Sequence, residues 1–249
     1  MYHSHSDVFS FRRFISTLGV AAILTLSACA SPQNEEDAAA KQDPWEGFNR
    51  GIYAFNDAFD TVILKPVAQG YRAVVPEYGR ERVSNVLSNL RQPINMLNSV
   101  LQGDPGNAFS SFWSFMLNST LGVGGIFDFA DTNTDLKVRE EDFGQTLGAW
   151  GVPSGPYLVL PILGPSTVRD TFGIAGDWVS DPFNYLDDEI VITRTVMRAI
   201  DARAGTLDLT DDIEKNSFDP YATYRSGYLQ RREAQVRNTG HKEPLKTIK

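Results

Sequence analysis

Reactive side chains are scarce in this 249-residue chain, which has one cysteine and three histidines. A lone Cys29 excludes an internal disulfide, so stability must come from packing. A serine hydrolase needs a base beside its nucleophile. His3 and His5 lie at the extreme N-terminus, and His241 sits in a polar tail unsuited to hold an imidazole in place. Gly164-Pro165-Ser166 is half of a nucleophile elbow, with Val168 where the second glycine belongs. Zinc has too few ligands. Gly122-x-Gly124-Gly125 follows an apolar run and precedes no lysine, so it is not a phosphate loop. Asp131-x-Asn133-x-Asp135 opens like a calcium loop. However, Leu136 replaces the turn glycine, Arg139 opposes the cation, and Asp142 is shorter than the usual glutamate. Carboxylates are plentiful, but no pair stands out as a general acid and base. No catalytic residue, metal or cofactor is expected, and bond-breaking chemistry is the weaker reading. The formal charge of −8 argues against nucleic acid as a partner. No hydrophobic alternation supports a β-barrel.

What the chain does have begins at its N-terminus. Arg12 and Arg13 precede an apolar run from Phe14 to Leu26, followed by Leu26-Ser27-Ala28-Cys29. A positive start, a short apolar stretch and small residues before a cut site describe a secretory signal, too short to span a bilayer. The arginine pair fits a twin-arginine signal poorly. The single cysteine stands at the cleavage position, which resembles the lipobox of bacterial lipoproteins. By that resemblance the chain is cut between Ala28 and Cys29, and Cys29 is lipidated. More than one acyl chain gives stable anchoring, at about 0.8 kcal/mol per buried CH₂. Ala30 is not the aspartate that retains lipoproteins at the inner membrane, so the resemblance points to the outer membrane. Removing Arg12, Arg13 and Asp7 leaves a mature chain with a formal charge of −9. That argues against adhesion to anionic lipid by charge alone.

Residues 29–42 are polar and alanine-rich and read as a flexible tether. Order is expected from Asp43-Pro44-Trp45-Glu46, where Asp43 is the predicted cap of a helix. Trp45, Phe48, Ile52, Phe55, Phe59 and Val62 recur at steps of three and four. They predict a helix docked on a core by its aromatic side and ending near Lys65-Pro66. Asn49 and Asn56 flank that stripe one heptad apart. Asp-Pro recurs at 43–44, 104–105, 181–182 and 219–220, each time as a helix start. Residues 153–165 are proline-rich and should be extended, and Ser166 is expected to cap the helix that follows. The acidic stretch 128–142 reads as a solvated loop.

The segment Pro105 to Phe127 contains no charged side chain. Its aromatic residues point nearly all round a helix, but Asn107, Ser111, Ser114 and Asn118 form one thin polar line. Gly122, Gly124 and Gly125 then break the helix. Such a helix lies either in a protein core or in lipid, and periodicity alone leaves both open.

Several stretches are similar, in order, to the MlaA (VacJ) family of outer-membrane phospholipid-transport lipoproteins. These are Asp43-Pro44-Trp45-Glu46-Gly47-Phe48-Asn49-Arg50, Leu101-Gln102-Gly103-Asp104-Pro105, Leu117-Asn118-Ser119-Thr120-Leu121-Gly122, Gly144-Gln145-Thr146-Leu147-Gly148, Tyr157-Leu158-Val159-Leu160-Pro161 and Thr167-Val168-Arg169-Asp170. The resemblance implies a mostly α-helical single domain with short extended segments. It would form a ring-like monotopic structure in the periplasmic leaflet of the outer membrane, around an amphipathic channel. Through that channel, misplaced outer-leaflet phospholipids would reach a periplasmic lipid-carrier protein, with trimeric porins holding the lipoprotein and no cofactor involved. The expected boundaries are 1–28 signal peptide, 29–42 tether, 43–235 helical domain and 236–249 polar disordered tail. Asn107, Ser111, Ser114 and Asn118 are the expected lipid path, and Gly122, Gly124 and Gly125 a gating bend. The alternative is a lipoprotein that scaffolds porins or envelope partners without transporting lipid. A third reading, a lipid-cleaving enzyme, predicts lysolipid or free fatty acid.

Overall fold

The computed structural model describes residues 43–238. The signal segment, Ala28, Cys29, the tether and most of the polar tail lie outside them. Within the described residues the chain is helical apart from one β-hairpin. In order come α1 (Glu46–Phe59), a π-helical turn (Asp60–Leu64), α2 (Lys65–Val74), α3 (Glu77–Asn89), α4 (Gln92–Leu101), α5 (Pro105–Thr120) and α6 (Phe129–Asn133). Then follow α7 (Phe143–Ala149), strands β1 (Tyr157–Leu160) and β2 (Gly164–Thr167), α8 (Val168–Ser180), a 3-10 turn (Pro182–Tyr185), α9 (Asp188–Asn216) and α10 (Pro220–Val236). No helix here is long and apolar enough to cross a membrane.

The Asp-Pro signals work at three of their four positions. Asp104 accepts from the Asn107 amide, Asp181 from Phe183 and Asp219 from Ala222, each with proline in the first turn. Asp43 does not cap: α1 begins after Trp45 without a side-chain cap. Asp43 is instead buried, accepting from the Asn49 amide at 2.7 Å and from the Tyr221 hydroxyl, with Arg225 3.1 Å away. The helix also passes through Lys65-Pro66 rather than ending there. The π-helical turn carries the Lys65 amide to the Asp60 carbonyl five residues back, and Pro66 falls in the first turn of α2, where its missing N–H costs little. Thr167, not Ser166, caps α8.

The interior is polar and the exterior apolar. Nine hydrophobic residues are buried among the described residues, against nineteen polar or charged ones. One apolar cluster joins Ala68, Ala204 and Leu207, and another joins Tyr157, Val159 and Tyr221. Meanwhile Phe48, Phe55 and Val62 of the α1 stripe are exposed, Val62 at 73%. The aromatic side of α1 therefore does not dock on a core. Its inward side carries Asn49, Ile52 and Tyr53. The rule that apolar faces turn inward holds when the solvent is water. An inverted distribution on so many helices marks a surface suited to a hydrocarbon environment.

Asparagines join the inverted layers. Asn49 donates to Tyr157 O at 3.0 Å and accepts from the Val159 amide at 2.9 Å. Seven residues on, Asn56 does the same with Leu160 O and the Ile162 amide. Each side-chain amide imitates a peptide group, so the free edge of β1 is completed by a helix. Ion pairs fix the far end: Arg203 grips Asp60 with both arms at 2.7 Å, Lys65 meets Asp211 and Arg72 meets Asp208.

Candidate functional site

The polar line of α5 is a packing face. Asn107 donates to Ser99 of α4 and to Arg139 O, and accepts from the Arg139 amide at 2.8 Å. Asn95 receives the Glu141 amide at 2.6 Å. The extended segment 139–141 is thus held by asparagines in the way β1 is. Asn118 accepts from the Ala130 amide and donates to Asp128. Ser111 is fully buried and its hydroxyl has no partner. Phe109, Phe112 and Trp113, on the opposite side, are exposed. Asn107 and Ser111 therefore border no described cavity. Ser114 and Asn118 edge one of about 160 Å³, with Arg91, Asn95 and Asp128. Along the line expected as a lipid path, the small and amide side chains let α4, α5 and the 128–142 segment approach closely. That segment is not wholly solvated either, since Glu141 is buried and accepts from Gln102.

The main opening lies elsewhere. Its apolar chamber, about 670 Å³, is walled by Val83, Val86, Leu87 and Leu90 on one side and by Ile190, Thr193 and Met197 of α9 on the other. Ile126 also lines it, and the space is open to the surface. A polar chamber of about 350 Å³ continues from it and shares Leu87, Leu90 and Arg194. Acidic Asp142, Asp170, Asp177 and Asp181 face basic Arg91, Arg194, Arg198 and Arg232 there.

An ionic node supports the polar chamber. Arg232 of α10 reaches Asp142 at 2.7 and 3.0 Å and Asp170 at 2.8 and 3.1 Å. Tyr228 donates to Asp170 at 2.7 Å, and Arg169 lies 2.9 Å from it. Burial alone would push the Asp170 carboxyl up, but the bonds from Arg232 and Tyr228 overcome this and hold it down at about 2. Asp177 has no such cation. Burial raises it to about 6, against hydrogen bonds from Asn98 and the Phe143 amide. Arg194 pairs with Asp181 at 2.7 Å.

The glycine bend adjoins the chamber. Gly124 and Gly125 have φ of +70° and +89°. A Cβ on Gly125 would sit 2.7 Å from Asn89 Cβ, and one on Gly122 would meet Phe127 O at 2.2 Å. The bend is tied by bonds from Gly125 N to Asn118 O and from Phe127 N to Gly122 O, and Asn85 donates to Ile126 O at 3.2 Å. Sequence reasoning found the bend but assigned no part of a site to α3 or α9. Val83, Val86, Leu87 and Leu90 were legible as a helical face, with nothing to say that it lines an opening. Among the described residues no cluster of histidine, cysteine or carboxylates is arranged to hold a metal.

Residues 41–235 match the family model described as MlaA lipoprotein. The chain is 37% identical over 233 residues to the intermembrane phospholipid transport system lipoprotein MlaA of Escherichia coli, covering 92% of this chain and 91% of that one. It is 31% identical to the protein of the same name from Haemophilus influenzae, covering 86% of each chain. A solved structure described as the structural basis for maintenance of bacterial outer membrane lipid asymmetry superposes with a TM-score of 0.70. That match is 39% identical and covers 78% of this chain and 98% of the other. With its polar interior, apolar exterior and two-chambered opening, this chain belongs to the MlaA lipoprotein family.

Proposed function

We propose that this protein is an outer-membrane lipoprotein that moves misplaced phospholipids from the outer leaflet through its opening to a periplasmic carrier. The observation that carries the proposal is the junction of an apolar and a charged chamber sharing Leu87, Leu90 and Arg194. A phospholipid has the same two parts, and the 670 Å³ chamber is of ligand-site size. The exposed aromatic residues of α1 and α5 would sit in hydrocarbon while the helices satisfy their own backbone groups. Lipidated Cys29 would hold the domain at the membrane through the 29–42 tether, and trimeric porins would fix it laterally. The bend at Gly122, Gly124 and Gly125, which leads into Ile126 of the chamber lining, is the proposed gate. No bond is broken in this activity.

The test plugs the path without touching the ionic node. Leu87→Trp and Met197→Trp should each raise surface-exposed phospholipid in cells to the level of a gene deletion, with the lipids chemically intact. Normal lipid sidedness in folded, correctly located variants would favour the scaffold reading. Lysolipid or free fatty acid released by the purified protein would favour an enzyme.

A further inference from the structure

The polar chamber contains two cations that no described carboxylate contacts in an ion pair. Arg232 is taken by Asp142 and Asp170, and Arg194 by Asp181. The side chains of Arg91 and Arg198 form no hydrogen bond or ion pair among the described residues, although both line the chamber. The Arg91 Nε is buried without an acceptor, a costly omission for a guanidinium. Arg198 is exposed, and burial of part of its side chain with the neighbouring Arg91 and Arg194 charges depresses its proton affinity, against the weaker effect of Glu140 and Asp181. Asp177 and Glu140 are close enough to act on these cations through space, but Asp177 Oδ1 already accepts from Asn98 and the Phe143 amide, and neither carboxylate forms an ion pair with Arg91 or Arg198. Like-charged groups kept in one enclosure with free donors suit an incoming anion.

We propose that Arg91 and Arg198 form an anion site at the polar end of the opening that binds the phosphate of a phospholipid headgroup. This rests on the passage reading above and adds to it the group that is recognised. The phosphodiester has two non-bridging oxygens, one for each guanidinium. With its phosphate there, a lipid's acyl chains run past Leu87 and Leu90 into the chamber walled by Val86, Ile190 and Met197. The site thereby orients the lipid, headgroup toward the ionic node and chains toward Ile126.

The experiment uses the full lipidated protein in detergent. It compares phosphatidylglycerol and diacylglycerol that carry the same diazirine-labelled acyl chains. The native protein should crosslink the phosphatidylglycerol at least about tenfold more than the diacylglycerol. In R91Q/R198Q this ratio should fall toward one while total acyl-chain crosslinking persists, and R91K/R198K should keep part of it. If the double variant folds poorly, R198Q alone should lower the ratio severalfold, since Arg198 is accessible. An unchanged ratio in a folded R91Q/R198Q overturns the anion site and leaves the passage intact. Failure of both lipids to crosslink to the native protein overturns the passage and the site with it. Displacement of phosphatidylglycerol by inorganic phosphate at low millimolar concentration assigns the site to free phosphate and overturns headgroup recognition. Persistence of the ratio in such phosphate supports it.

Discussion

Replacing Arg232 with Met should both weaken the fold and reverse part of its pH dependence. Arg232 is the single cation between Asp142 and Asp170, making four bonds of 2.7 to 3.1 Å that tie α10 to α7 and α8. Its side chain is 12% exposed, and those of Asp142 and Asp170 are 19% and 5% exposed. Removing one partner of a buried pair strands the other, at about 3–5 kcal/mol. An independent figure comes from linkage. The Asp170 carboxyl falls from 3.8 to about 2 on folding, and at about 1.4 kcal/mol per pH unit this gives about 2.5 kcal/mol of stability at neutral pH. The folded value is the lower one. The contribution is therefore complete above pH 3.8 and is lost as pH falls toward about 2. Without Arg232, burial is opposed only by Tyr228 and Arg169 at Asp170 and by Gln145 at Asp142, so both carboxyls should rise and the variant should lose stability as pH rises toward neutrality. For a domain of this size the melting temperature should drop by about 10 °C at pH 7, and by less at pH 4. Thermal unfolding followed by circular dichroism in detergent at both pH values measures this. A drop under about 2 °C at pH 7, or an equal drop at both, would refute the node as the tie between α10 and the rest.

Three further outcomes are expected. Asn49→Ala removes the bonds that Asn49 makes with Tyr157 O, the Val159 amide and the Asp43 carboxylate, which keeps only Tyr221 and Arg225. It should cost about 2–4 kcal/mol and speed hydrogen exchange at Val159 before it does so in α9. Asn107→Ala should cost about 1–3 kcal/mol and speed exchange of the Arg139 amide, while surface phospholipid stays normal because Asn107 packs against protein. Gly125→Ala combines φ of +89° with a 2.7 Å clash at Asn89, whereas Gly124→Ala has φ of +70° and open space. Gly124→Ala should cost only about 1–2 kcal/mol and Gly125→Ala clearly more, as read by urea denaturation. Equal costs would show that Asn89 does not confine the bend.

Much of the local structure is legible residue by residue. Asp104, Asp181 and Asp219 before proline announce helical starts because a short carboxylate reaches the free amides of the first turn and proline needs none. Prolines at 156, 161 and 165 announce an extended stretch, which the structure pairs into a hairpin. The chargeless run from Pro105 and the bend at Gly122, Gly124 and Gly125 also stand where expected. The misread faces share one cause. A hydrophobic stripe is assigned inward on the assumption of water outside, and α1 and α5 turn their aromatics outward. Asn49, Asn56 and Asn107 looked like helix-face polarity, but each, like Asn95, is half of a pairing with an extended segment whose course no helical period contains.

The chain by itself determined most of its helices and three of its four Asp-Pro starts, because these depend on neighbours within a few residues. Only the tertiary structure decided which faces meet. It brought Asp142, Asp170 and Arg232 into one node, made Leu87 and Met197 opposite walls of an opening, and left Arg91 and Arg198 without counterions. Burial and charge compensation are properties of surroundings assembled from distant segments, and no window of sequence contains them.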